Sequence, residues 1–131
     1  MTFNNQNKMS KQKIIYWTST GLFSLFMIHS AYQYLTAKEM EAAFLHLGFP
    51  AYFRIELGIA KFLGAVVLLI PMIPKGFKQF AYAGFAINLI SGAIAHASKG
   101  DPALYVMLPL VFLVMLIISY VFFEKVSLVS S

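Results

Sequence analysis

An all-α integral membrane protein is the class this sequence predicts: a four-helix bundle with a short amphipathic interfacial helix between helices 1 and 2. Two observations carry that expectation. Of the 131 residues, 60% are hydrophobic and only 11% charged, whereas soluble globules carry roughly a quarter charged residues. The apolar residues also gather into four runs, 14–35, 53–72, 77–98 and 103–123. Each is about 20 residues long, and at about 1.5 Å rise per residue each covers the roughly 30 Å hydrocarbon layer. The lipid bilayer is therefore the first expected partner.

The first run follows Lys8, Lys11 and Lys13, as a signal peptide would. Its apolar stretch exceeds the roughly 7 to 15 residues of such a segment, and no small-x-small cleavage site follows, so it is read as a retained helix. Residues 1–10, polar and Asn/Lys-containing, are expected to form a disordered cytoplasmic tail, with one domain over 11–131. After the first run, Thr36 and Glu39 have capping-box spacing, which predicts a helix over 37–47. Met40, Ala43, Phe44 and Leu47 share one face of it, so it should lie on the bilayer surface. Gly48 and Pro50 stop it. The second run ends at Pro71, Pro74 and Gly76, a tight turn, and Gly100-Asp101-Pro102 closes the third run and opens the fourth. These short connections make the last three runs antiparallel neighbours.

Lysine and arginine set the orientation. Lys8, Lys11, Lys13, Lys75, Lys78 and Lys125 fall on one side, against Lys38, Arg54 and Lys99 on the other, which places both termini in the cytoplasm. Because these charges flank apolar runs and do not cluster on a soluble face, the net charge of +5 gives no reason to expect nucleic acid. Tyr16, Trp17, Tyr52, Phe53, Tyr82, Tyr105 and Phe123 are expected as an interfacial belt. With no cysteine, there is no disulfide, thiolate metal site or cysteine relay.

Ionisable and amide side chains inside the runs are the candidate site. Arg54, Gly58, Lys61 and Ala65 share one helical stripe, whose small residues suit a face turned toward other helices. Gly84, Asn88, Ser91, Gly92 and Ala95 form a matching stripe, and His29 and Gln33 lie one turn apart. Counted from the outer end of each run at about 1.5 Å per residue, depths are roughly 9 Å for His29, 5 Å for Glu56, 12 Å for Lys61, 15 Å for Asn88 and 3 Å for His96. His29, Gln33, Glu56, Lys61, Asn88, Ser91 and His96 are thus expected to line one polar pocket open to the outside. An unpaired Lys61 in lipid costs about 2.5 to 3.5 kcal/mol, so Asn88, Gln33, Glu56 or a bound anionic or carbonyl ligand should satisfy it. Snorkelling of its stem to the headgroups is the plainer alternative. Histidine pairs at i, i+4 are missing, so no metal site is predicted. No Ser-His-Asp order, phosphate loop, HExxH or CxxC occurs, so no catalytic residue is assigned and enzymatic activity stays open.

The stretches HLGFPAYF, LGIAKFLGAVVLLIP and FAYAGFAINLISGAIAHASKGDP, in that order and spacing, resemble the DoxX-like family of small bacterial four-helix membrane proteins. The resemblance picks out Gly48, Pro50, Gly58, Lys61, Gly64, Pro71, Ala81, Tyr82, Gly84 and His96, without a catalytic role for any. It implies a bacterial inner-membrane location and a non-catalytic subunit or accessory protein, packed against itself or a membrane-protein partner. The wider group is associated with quinol oxidase and thiosulfate:quinone oxidoreductase complexes. The alternative it implies is therefore a quinone-interacting subunit, with quinone as a possible cofactor held by His29, Lys61 and Asn88.

Overall fold

A computed structural model describes the backbone of residues 2–130 and the side chains of residues 7–127. Five α-helices, and no strand among the described residues, make up the chain: α1 (Thr2–Thr36), α2 (Lys38–Leu47), α3 (Ala51–Leu69), α4 (Lys75–Ser98) and α5 (Ala103–Ser130). The class is all-α, as its apolar runs predict. Residues 2–10, expected as a disordered tail, continue α1 in helical conformation. Met1, also in that expected tail, lies outside the described residues. A nucleated helix adds residues at low cost, and 2–10 contain no Gly or Pro to stop it.

Helix ends follow local chemistry. Helix α2 forms where predicted, but not by the predicted cap. Its N-cap is Ala37, without a side-chain bond, and the Thr36 hydroxyl donates backward to the Tyr32 carbonyl at 2.7 Å. Being the last residue of α1, Thr36 has that carbonyl one turn behind it. At the other end Gly48 takes φ 86°, and the N–H of Phe49 reaches the Phe44 carbonyl at 2.8 Å. That is the Schellman closure, completed by contact of the Phe44 and Phe49 rings, 5.9 Å apart. Gly100 (φ 69°) closes α4 in the same way, with the Asp101 N–H on the His96 carbonyl. Helix α3 stops at Leu69, short of the predicted 72, because Pro71 drives Ile70 into extended conformation. Pro109 lies within α5, its ring 3.9 Å from where a Cβ on Gly92 would sit.

Helix α1 packs against α3 and α5, and α4 packs against α5 and α3, so the long helices meet in the order α1, α3, α4, α5. Helix α2 lies across the adjoining ends of α1 and α3. Close approach of α1 and α3 depends on Gly58, where an added Cβ would meet Leu35 at 3.0 Å and Tyr34 at 3.2 Å. Phe23, Leu68 and Ala65 are fully buried, and Phe23 meets Phe85 edge-on at 5.1 Å. Three members of the expected interfacial belt, Tyr16, Tyr82 and Phe123, belong instead to this core. Hydroxyls explain the two tyrosines: Tyr82, like Thr20, shares a hydrogen bond with Ser119, at 2.6 and 2.5 Å, and Tyr16 accepts from Lys78, while the Phe123 ring packs on both, 6.0 Å from Tyr16 and 5.5 Å from Tyr82. A tyrosine whose polar tip finds an interior partner need not sit at an interface.

Outside, the pattern is inverted relative to a soluble protein. Large apolar side chains stand exposed on every long helix: Leu25 on α1, Leu63 on α3, Phe80 on α4 and Ile117 on α5. Meanwhile Thr20, Ser24, Arg54, Lys61, Lys78 and Ser119 are buried. By length and composition α4 and α5 are long and apolar enough to cross a membrane.

Candidate polar cavity

Three buried cations are the most costly groups in the interior, and two of them finish helices. The last carbonyls of an α-helix have no partner within it. Arg54, at the start of α3, donates through Nη1 to the Tyr34 carbonyl in the last turn of α1. Its Nη2 reaches Glu41 of α2 at 3.4 Å. Lys78, at the start of α4, donates to the Leu68 carbonyl in the last turn of α3 at 3.2 Å and to the Tyr16 hydroxyl at 3.4 Å. Each positive side chain thus meets the negative end of a neighbouring helix.

Lys61 is different. Only 6% exposed, it donates to the hydroxyls of Ser30 at 3.1 Å and Tyr34 at 2.9 Å, and its ammonium lies 4.0 Å from the Tyr34 ring centre. Among the described residues it has no carboxylate or carbonyl partner. The expected partners Asn88, Gln33 and Glu56 do not bond it, and no snorkelling is needed. Ser30 and Tyr34 lie one turn apart on α1, in step with the buried Phe23 and Met27; that spacing is the sequence signal that would have found them.

Lys61 borders a cavity of about 630 Å³. Its walls include His29, Gln33, Lys61, Asn88, Ser91 and His96, so the structure brings together six of the seven predicted residues. Among the described residues, the side chains of His29, Gln33, Asn88 and Ser91 have no hydrogen-bond partner. Glu56 is the exception and stands exposed on the outer face of α3. At 100° per residue it lies about 140° around the helix from Lys61, and no bend of α3 brings it back. Met40, Phe44 and Leu47 of α2 cover one end of the cavity.

At that end sits a cluster the sequence did not reveal. Asp101 accepts from His46 Nε2 at 2.8 Å through one oxygen and from His96 Nδ1 at 2.6 Å through the other. One carboxylate therefore ties α2 to the end of α4, and the His96 ring stacks on Tyr105. His46 is 55 positions away in sequence, so no spacing announces the pair. The hydrogen bonds from His96 and His46 hold the Asp101 carboxyl below its usual range. A folded-state pKa that is lowered contributes stability above the ordinary carboxylate range, lost as pH falls through the lowered value. Asp101→Asn should therefore speed hydrogen exchange in α2 at neutral pH, and wild type should approach the variant's rates only in acid. Equal protection of α2 in both proteins at pH 7 would show that the link does not hold the helix.

An apolar exterior, buried cations and a mostly apolar cavity that also carries amide, imidazole, hydroxyl and ammonium groups define a small all-α membrane protein. The family model described as the DoxX-like family matches residues 18–119, and the chain belongs to that family. At a significant level it matches no curated protein and no solved structure.

Proposed function

We propose that the chain is a non-catalytic accessory protein of the bacterial inner membrane. In this reading α1, α3, α4 and α5 cross the bilayer as a four-helix bundle, both termini are cytoplasmic, and the cavity holds a small ligand reached from the outer face. One observation carries the reading: all four long helices turn large apolar side chains outward while Thr20, Ser24, Arg54, Lys61, Lys78 and Ser119 are interior. In a bilayer that arrangement keeps Arg54, Lys61 and Lys78 out of hydrocarbon. The three charges that lower the apolarity of α3 belong to this scheme, since Arg54 and Lys61 are interior and Glu56 lies near the helix start. The unpartnered donors and acceptors around the cavity support a ligand-holding role, whereas among the described residues no arrangement of nucleophile, base and orienting group supports chemistry. Exposed small and apolar faces suit packing against a membrane-protein partner or a second copy.

Because the chain has no cysteine, single introduced thiols report its topology. Ser91→Cys should react with a membrane-impermeant maleimide applied to intact cells, and Lys8→Cys should react only after permeabilisation. Labelling of Lys8→Cys in intact cells would overturn the orientation, and protection of both until permeabilisation would overturn the outward-open cavity.

A further inference from the structure

The polar cavity is continued on its α3–α4 side by a second hollow. This groove of about 350 Å³ lies between the two helices and shares Leu57, Lys61, Gly84 and Asn88 with the larger cavity. Beyond that junction its walls turn wholly apolar, through Leu63, Val67, Phe77, Phe80 and Ala81. The gap has a local cause: α3 and α4 have the least extensive contact of the neighbouring long helices. Space beside Gly84 is open, with nothing within 4 Å of an added Cβ, whereas at Gly64 the Phe85 ring already lies 2.8 Å from that position. Phe77 and Phe80, at the rim, are among the most exposed apolar residues of the chain. The groove therefore opens sideways, toward lipid in the membrane reading above, on which this inference rests.

Charge decides what fits. Arg54 and Lys78 are consumed by helix ends, but Lys61 reaches two neutral hydroxyls and an aromatic face. An ammonium has three donors, and only two are used. A buried cation without a counter-charge, placed where Ser30, Tyr34 and Asn88 of the larger cavity meet an apolar groove, is complementary to an anion carrying an alkyl chain. We propose that the junction binds a single-chain amphiphile with an anionic head: the head pairs with Lys61 in the chamber, and the chain runs past Gly84 and Ala81 toward Phe77. That path covers seven residues of α4, about 10 Å at the helical rise. One chain fits a groove one helix pair wide; two do not.

Equilibrium binding of radiolabelled dodecanoate to the full chain in nanodiscs of zwitterionic lipid tests this. Saturable binding is expected, weakened about tenfold by Lys61→Met, as loss of a charge-assisted hydrogen bond implies. Ala81→Phe, which fills the groove but leaves the chamber intact, should weaken it comparably, with its helical circular dichroism unchanged. Dodecanol should compete at least about tenfold less well than dodecanoate. Dodecyl phosphate in the same competition identifies the head: stronger displacement than by dodecanoate assigns a phosphate, weaker displacement a carboxylate. Unchanged binding by folded Ala81→Phe would overturn the groove, and equal competition by dodecanol or by a neutral decyl-quinone would overturn the anionic head. If Ser91→Cys labels from outside while dodecanoate fails to bind, this inference falls and the outward-open chamber stands. If Ser91→Cys is also protected, both fall.

Discussion

Arg54→Met and Lys78→Met are each expected to destabilise the folded protein by about 2–3 kcal/mol, measured as a lower midpoint of unfolding in mixed SDS micelles. Both side chains donate to carbonyls that their own helices leave bare, Tyr34 at the end of α1 and Leu68 at the end of α3. Hydrogen bonds from charged donors are worth about 1.5–3 kcal/mol, and a buried acceptor left alone pays its full desolvation cost. Methionine replaces the aliphatic stem, so packing changes little and the loss reports the polar contact. The two effects should add in the double variant, since the residues cap different helices and share no partner. Wild-type midpoints in both variants would mean that water reaches these carbonyls and the buried cations do not finish the helices.

Lys61→Met should do the opposite: stability unchanged to within about 1 kcal/mol, or raised, because a buried charge without a counter-ion carries a desolvation cost that methionine does not. Ser30 and Tyr34, one turn apart, lose an ammonium but gain freedom to bond each other or water in the cavity. The same change should abolish most anionic-ligand binding. Stability and binding thus move in different directions at Lys61, whereas a merely structural lysine would show a stability loss and nothing else. A drop as large as that of Lys78→Met would place Lys61 with the helix-capping cations.

The contrast among these three cations measures how far a sequence of this kind can be read. The stripe Arg54, Gly58, Lys61, Ala65 is visible as a helical repeat, and all four residues are buried. Repeats of this sort survive folding because a helix fixes which residues share a face. The polar residues of α1 and α4 were legible for the same reason, and they line one chamber. Glu56 shows the limit of depth without angle: it lies at a suitable level but on the wrong side of α3. Tyr16, Tyr82 and Phe123 lie in the core and not in an aromatic belt, since a residue's position along a helix does not say whether a tyrosine hydroxyl finds Ser119 or Lys78 inside, or whether the Phe123 ring packs on those tyrosines.

Composition and periodicity alone determined that the chain is helical, where its helices break, and which faces carry small and polar groups, because these depend on neighbours within a few residues. Only the tertiary structure decided that Lys61 meets Ser30 and Tyr34, that Arg54 and Lys78 finish other helices, and that Asp101 joins His46 to His96. Such pairings link residues distant along the chain, and they are selected by how one packed helix is rotated against the next.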